Sequence, residues 1–333
     1  MKVIILCEIP HHYATVYAPT VTERLKALSD CDGNQYRKTD VLTQPERFAD
    51  TEYVFSTWGM PSFTEEEIKT YLPSLKCVFY GAGSVQGFAR PFLNCGVKVF
   101  SAWAANAVPV AEYTVAQMIL AGKDFFCQSR LLAKEERAAA VARHGTHIGN
   151  YRKKVGLIGC GMIGSLVAEM LKVYNLEVLA YDPFMSSEKA ERLGVTQVSL
   201  EELFASCSVV SNHLANNPQT QKILTYKHFS SMPPYAAFIN TGRGAQVVED
   251  DLIRVLTERP DFTAVLDVTD PEPSPPGHPF YSLPNCFMTP HIAGSMGGEV
   301  VRMAEYMVDE YEAFTTGKPV RYEVTLKMLE TMA

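Results

Sequence analysis

Short apolar runs bounded by turn-forming residues recur along the first hundred positions: KVIILC at the start, then YVFS, KCVFY and VKVF. They are rich in β-branched and aromatic residues and alternate with helical stretches, the pattern of parallel strands joined by crossover helices. One of these helices has a marked beginning, because Thr64 followed by Glu67 in TEEEIKTYL fits a reciprocal capping box. After Asn106, AVPVAEYTVAQMILAGKDFF is apolar on most faces and predicts a helix buried between two layers. The stretch LLAKEERAAAVARHGTHIGNYRKK is polar and helix-prone, then passes into turn residues. A second series opens at Lys154, with strands KVGLI, EVLAY, SVVSNHL, AAFIN, TAVLDV and CFMT separated by helices or turn clusters. Ser199 and Glu202 mark another capping box. The proline cluster DPEPSPPGHPF reads as a rigid loop inside this series, since CFMTPH resumes the strand pattern after it. A last helix over Gly298 to Thr316 is stopped by Gly317 and Pro319. The pattern predicts an α/β protein with a doubly wound parallel sheet and a smaller α/β lobe.

The totals narrow this picture. A chain of 333 residues, 47% hydrophobic, exceeds the size at which one core keeps growing, so two domains are expected. A net charge of −7 leaves no basic stripe of the kind a nucleic acid would require. The opening apolar run is too short for a secretory signal, and no run approaches the roughly 18 residues of a membrane helix. The expected location is the cytoplasm, with no membrane partner. Eight scattered cysteines show neither a C-x-x-C nor a histidine at metal-ligand spacing, and read as reduced, mostly buried thiols without a metal. PHHYATVYAPTV matches no pattern, and His11 and His12 read as exposed loop residues.

The segment KVGLIGCGMIGSLVAEMLKVYNLEVLAYDP sets Gly159, Gly161 and Gly164 in G-x-G-x-x-G spacing, after an apolar strand and at the opening of an amphipathic helix. In that context Gly159 permits a tight turn, Gly161 lets the backbone approach a pyrophosphate, and Gly164 lets helix and strand pack closely. The helix N-terminus, with Met162 and Ile163, would hold the anion. Asp182, at the end of the next strand, would accept hydrogen bonds from a ribose and repel a 2′-phosphate. No arginine follows it, which favours NAD over NADP.

Three more residues fall at strand ends or in the adjoining loops: Arg243 in FINTGRGAQ, Glu272 in LDVTDPEP and His291 in FMTPHIAGS. Each alone fits a plain structural role, as a solvated turn, a loop acid or a backbone-bonded imidazole. Together their chemistry closes. Arginine offers a planar fork matched to a carboxylate, histidine gives or takes a proton near neutrality, and a carboxylate orients an imidazole and stabilises its charged form. Hydride transfer to a 2-oxo acid requires that set.

In GLIGCGMIG, YDP, INTGRG, LDVTDPEP, TPHIAGS and AANAVPVAEYTVAQMIL the sequence resembles the D-isomer-specific 2-hydroxyacid dehydrogenases, from about Tyr80 to Val320. The resemblance implies a Rossmann-type cofactor lobe over 103–294 and a flavodoxin-like substrate lobe over 1–102 and 295–333. It implies catalytic roles for Arg243, Glu272 and His291, with Arg243 on the substrate carboxylate, His291 as acid/base and Glu272 as its partner. It implies substrate contacts from Gly83, Ser84 and Val85 of GAGSVQGF and from Asn106. Asp267, Thr241, His213 and Leu214 would adjoin the cofactor, NAD, with Asp267 holding its carboxamide. A homodimer through the cofactor lobe is implied as well. The family often carries Asp where Val85 stands and Pro where Ala215 stands, and its lead-in to the cofactor lobe is replaced by GTHIGNYRKK. Trp58, Tyr80, Ser84 and Trp103 are candidates for side-chain selection. Two rival functions stay open on the sequence: an NAD-sensing corepressor-like protein, and oxidation of formate or phosphite.

Overall fold

The structure, a computed structural model, describes residues 1–145 and 149–330. The chain divides into two compact units, Met1–Asn106 with Ser295–Ala333, and Ala107–Gly294.

The first unit is built on β1 (Val3–Leu6), β2 (Gln35–Tyr36), β3 (Tyr53–Ser56), β4 (Cys77–Tyr80), β5 (Lys98–Ser101) and β13 (Glu323–Val324). They lie in the order β13-β5-β4-β3-β1-β2, with β13 antiparallel and the rest parallel. Strands β1, β3 and β4 are buried along their whole length, which is why they read as continuous apolar runs rather than as alternation. Phe55, Phe79 and Phe100 occupy one register row, and their rings stack at 5.0 and 4.8 Å between centroids. Tyr311, from the helix Val300–Thr315, meets Phe55 and Phe79 edge-on at 5.6 and 5.7 Å. This aromatic contact joins the C-terminal segment to the first hundred residues. Buried Glu310, next along that helix, accepts the amides of Arg321 and Tyr322 and so delivers the chain to β13.

Two readings change here. PHHYATVYAPTV contains two helices, Pro10–Val16 and part of Pro19–Leu28, each with proline in its first turn, where the missing N–H is harmless. His11 and His12 are therefore helical. His11 is exposed, but His12 is partly buried, its Nδ1 3.1 Å from the Trp58 carbonyl. The strands β2 and β13 were not legible, because two residues carry no periodicity.

The second unit holds β6 (Lys153–Ile158), β7 (Leu176–Tyr181), β8 (Thr196–Gln197), β9 (Val209–Asn212), β10 (Ala237–Asn240), β11 (Thr263–Leu266) and β12 (Cys286–Met288). All are parallel, in the order β12-β11-β10-β9-β6-β7-β8. This is a Rossmann-like sheet, and its strand order reverses between β6 and β9. Register aligns Tyr181, Ile158, Asn212, Asn240, Leu266 and Met288 in one row across six strands. The helix Trp103–Gly122 packs Ala111, Val115, Met118 and Ala121 against Val155, Leu157, Ile239 and Val265 of this sheet. In the lead-in GTHIGNYRKK, residues 146–148 lie outside the described residues. The eight cysteines carry free thiols, and all but Cys95 are buried. Among the described residues no helix is long and apolar enough to cross a membrane.

Phe238 of β10, fully buried against Phe204 and Phe229, sits in the strand that leads to Arg243. Phe238→Ala is expected to lower the unfolding free energy by about 3–5 kcal/mol in urea titration.

Candidate functional site

The common register row has a direct consequence: the residues that follow it on each strand emerge along one edge of the sheet. Gly159, Asp182, His213, Thr241 and Asp267 each stand one place beyond the row, and Arg243 and His291 three places beyond. Ligands of open α/β sheets bind at this carboxyl edge, at the point where strand order reverses.

The glycine turn lies at that point. Gly159 takes φ +85°, open to glycine, and a Cβ there would lie 3.0 Å from the His213 carbonyl oxygen. A Cβ on Gly164 would lie 2.0 Å from the Gly159 carbonyl oxygen, so helix and strand meet only because that position is bare. Gly161 differs, since beyond its chain neighbours no atom of the described residues lies within 4 Å of a Cβ built on it. Beside this open space the helix Met162–Leu171 begins, and its first amides have no intrahelical acceptor. Asp182 closes the other side: Oδ2 accepts the Cys160 amide at 2.8 Å and Oδ1 the Phe184 amide at 2.9 Å, leaving lone pairs on both oxygens. His213 is buried, and neither ring nitrogen has a partner among the described residues. Burial alone pushes its pKa from 6.5 down to about 3, so the ring is neutral. An open cradle, unpaired amides, an acid at the second strand end and an orphaned imidazole together fit a dinucleotide.

Arg243 follows β10 in a turn fixed from both sides. Three buried side-chain amides, Asn212, Asn240 and Gln246, stand behind it. Asn240 Oδ1 accepts from Asn212 Nδ2 at 3.0 Å and from the Gly242 amide at 3.1 Å, while its Nδ2 donates to the Arg243 carbonyl at 3.1 Å. A Cβ on Gly242 would lie 3.0 Å from Asn212 Nδ2, and one on Gly244 would lie 2.0 Å from the carbonyl carbon of Thr269. The arginine is therefore flanked by glycines because its turn is wedged between the amide cluster and the backbone leading to Glu272. Its guanidinium donates to the Gly242 carbonyl at 2.8 Å and has no carboxylate partner among the described residues. A guanidinium without a carboxylate beside it keeps donors that an external anion can use.

Glu272 and His291 meet. Nδ1 of His291 lies 2.7 Å from Glu272 Oε1, so the carboxylate accepts a hydrogen bond from Nδ1–H and leaves Nε2 open. The side chains stay 47% and 38% exposed, so the pair is reachable. The loop carrying Glu272 is tied down where the Asp270 amide donates to Glu249 Oε1 at 2.9 Å. His291 itself has φ +53°, a strained backbone for a residue with a side chain. Asp267 holds it: Oδ1 accepts from Thr289 Oγ1 and the Ile292 amide at 2.6 and 2.8 Å, Oδ2 accepts the Ala293 amide at 2.9 Å, and the Asp267 carbonyl accepts the His291 amide at 3.0 Å. Asp267 is thus the buried anchor of the histidine turn, with one lone pair left on Oδ2. Thr241 is buried against Thr114, with 2.9 Å between hydroxyls. Leu214 is partly buried, its amide on Asn212 Oδ1 at 3.3 Å.

In the first unit, Gly83, Ser84 and Val85 follow β4. The Ser101 hydroxyl donates to the Ala82 carbonyl at 2.9 Å and the Gly83 carbonyl at 2.5 Å, while the amides of Gly83, Ser84 and Val85 have no partner among the described residues. The Val85 side chain is core, so only its backbone is available to a ligand. Asn106 Oδ1 accepts the Ser295 amide at 3.0 Å. Tyr80 also belongs to the core, against Phe88, whereas Trp58 is partly buried, Ser84 exposed, and Trp103 packs edge-on to Tyr322.

Two residues escaped sequence reasoning. Lys189 donates to the Cys160 carbonyl at 2.6 Å, bringing an ammonium to the glycine turn. Gln246 completes the amide cluster. Neither belongs to a periodic pattern or a motif, and only tertiary proximity gives them meaning.

Residues 115–293 match the family model described as D-isomer specific 2-hydroxyacid dehydrogenase, NAD binding domain. The chain is 31% identical over 235 residues to a D-3-phosphoglycerate dehydrogenase of Archaeoglobus fulgidus, covering 71% of this chain and 44% of that protein. It is 32% identical over 166 residues to a glyoxylate reductase of Aeropyrum pernix, half of each chain. It spans less than half the length of the phosphoglycerate dehydrogenases it matches. The apo form of Rhodotorula graminis D-mandelate dehydrogenase shares the fold, with a TM-score of 0.80 over 97% of both chains at 17% identity.

Two outcomes follow from the glycine turn. Gly161→Ala is expected to leave the thermal midpoint unchanged, because no protein atom outside its chain neighbours lies within 4 Å of the added Cβ, yet to weaken NADH binding by about tenfold in fluorescence titration. For His213, the unfolded chain accepts below pH 6.5 a proton that the folded chain refuses until about 3, so its stability contribution is complete above 6.5 and disappears as pH falls toward 3. His213→Gln should flatten the fall of the thermal midpoint across that window.

Proposed function

The chain belongs to the D-isomer specific 2-hydroxyacid dehydrogenase family, and from that membership we propose that it interconverts a small 2-oxo acid and the corresponding D-2-hydroxy acid, with NAD as its redox partner. The observation that carries this reading is the 2.7 Å contact between His291 and Glu272 on the strand-end edge that also presents Arg243, a guanidinium with no carboxylate partner among the described residues.

Arg243 binds the substrate carboxylate and stabilises negative charge developing on the reacting oxygen. His291 delivers a proton from Nε2 to that oxygen in reduction and takes it back in oxidation, and Glu272 keeps the ring in the tautomer this requires and stabilises its charged form. The bound nicotinamide supplies the hydride. Gly83, Ser84 and Val85 offer backbone amides to substrate oxygens, and Asn106 adjoins the substrate. Gly159, Gly161, Met162, Ile163 and Gly164 receive the pyrophosphate, Asp182 the ribose diol, and His213, Leu214 and Thr241 line the cofactor. The remaining lone pair of Asp267 Oδ2 takes an N–H of the carboxamide. Asp182 disfavours a 2′-phosphate, and Lys189 opposes that preference with the ammonium it holds near the turn, so both cofactors belong in the test.

Loss of the NADH or NADPH absorbance band with a panel of 2-oxo acids measures the activity, with turnover expected on at least one acid and higher kcat/KM for NADH. Arg243→Ala should lower kcat/KM by about 10²–10³ and His291→Gln by about 10²–10⁴, with NADH binding retained. Near wild-type turnover in Arg243→Ala sinks the assignment. NADH binding without turnover on any acid, and without oxidation of formate or phosphite, points instead to a sensor.

A further inference from the structure

Gln246 has no place in the chemistry described above, yet its side-chain hydrogen bonds are directed at the elements that carry it. It is fully buried. Its Nε2 donates to the carbonyls of Leu214 at 2.7 Å and Ala215 at 3.0 Å, and its Oε1 accepts from Asn212 Nδ2 at 2.5 Å. Asn212 in turn donates to Asn240, and Asn240 holds the Gly242 amide and the Arg243 carbonyl. One continuous chain of amides therefore joins the loop after β9, which lies against the glycine turn, to the turn that aims Arg243.

We infer that Gln246 is a positioning residue that sets the 213–215 loop and the Arg243 turn together, so that the dinucleotide site and the carboxylate site share one buried restraint. The inference rests on the functional reading above. The physical reason is the cost of burying amides. Three of them in a dry interior are tolerated only when their groups find partners. These three do so through a single arrangement, in which both Nε2 hydrogens of Gln246 point at consecutive carbonyls of the loop. If the loop moves, Gln246 loses both bonds. If Gln246 moves, Asn212 loses an acceptor and the support behind Asn240 is released. Simple filling of the core predicts none of this, since an apolar side chain of similar length would occupy the same space.

The test uses the full chain and three variants. Gln246→Met keeps length and removes every polar atom, and Gln246→Asn is a milder change that shortens the reach. Leu252→Ala, in the core of the helix that follows, is the control for lost stability alone. NADH dissociation constants come from fluorescence, and KM and kcat from the turnover assay. In Gln246→Met both the NADH dissociation constant and the KM for the 2-oxo acid should rise about five- to tenfold, with kcat changed less than about twofold. Gln246→Asn should shift both constants the same way by less. Leu252→Ala should lower the thermal midpoint and leave both constants in place. Adding Ala215→Pro to Gln246→Met should recover NADH affinity without recovering the KM. The Ala215 amide has no partner among the described residues, so proline restrains the loop without removing a bond, whereas nothing restores the support behind Arg243. Both constants unchanged in Gln246→Met and Gln246→Asn, or an equal rise in Leu252→Ala, overturns the inference. If the parent chain turns over no 2-oxo acid, the functional reading fails by itself. The NADH measurements then still decide whether Gln246 controls the loop: a rise confined to the Gln246 variants supports it and no rise overturns it.

Discussion

Parallel register is the constraint on which the second unit depends. Six neighbouring strands reach the same row, from Tyr181 through Ile158, Asn212, Asn240 and Leu266 to Met288, and the chain leaves each in the same direction. Residues far apart in sequence are thereby delivered to a single edge, where backbone amides and carbonyls at strand ends still need partners. Those needs are met by groups that also shape the site. Asp182 satisfies the Cys160 amide and Asp267 the Ile292 and Ala293 amides, and each carboxylate keeps further capacity to accept a bond.

Rigid support on one side and unused capacity on the other is the common feature of the site residues. Arg243 is gripped through its backbone by Asn240, while its guanidinium has no acid beside it among the described residues. His291 is forced into a left-handed backbone by bonds to Asp267 and Thr289, with Nδ1 engaged and Nε2 open. His213 is the extreme case, a neutral ring with two unsatisfied nitrogens next to a glycine turn. Unsatisfied buried polar atoms are costly, and where they gather at a strand-end edge they indicate a ligand that completes them.

Much of this was legible along the chain. The long strands of both sheets announced themselves as β-branched or aromatic runs, because buried parallel strands need apolar side chains on both faces. The Thr64 capping box is present, with Thr64 and Glu67 bonding reciprocally, and Ser199 accepts the Glu202 amide. The two-residue strands β2, β8 and β13 could not be read, since hydrogen bonding to a neighbour and no pattern of their own makes them strands. The helix at Pro10 was missed because its apolar contacts are with distant segments, and its residues alone show no stripe.

The sequence by itself determined the α/β alternation, the glycine spacing and the presence of an arginine, an acid and a histidine after strands, because these follow from local periodicity and from residue chemistry. Tertiary structure decided why Arg243 lies between two glycines, which nitrogen of His291 is engaged, that the Val85 side chain is core, and that Lys189 reaches the glycine turn and Gln246 the amide cluster. Those facts depend on which groups approach within about 3 Å of which, and such distances arise only when segments separated along the chain are packed together.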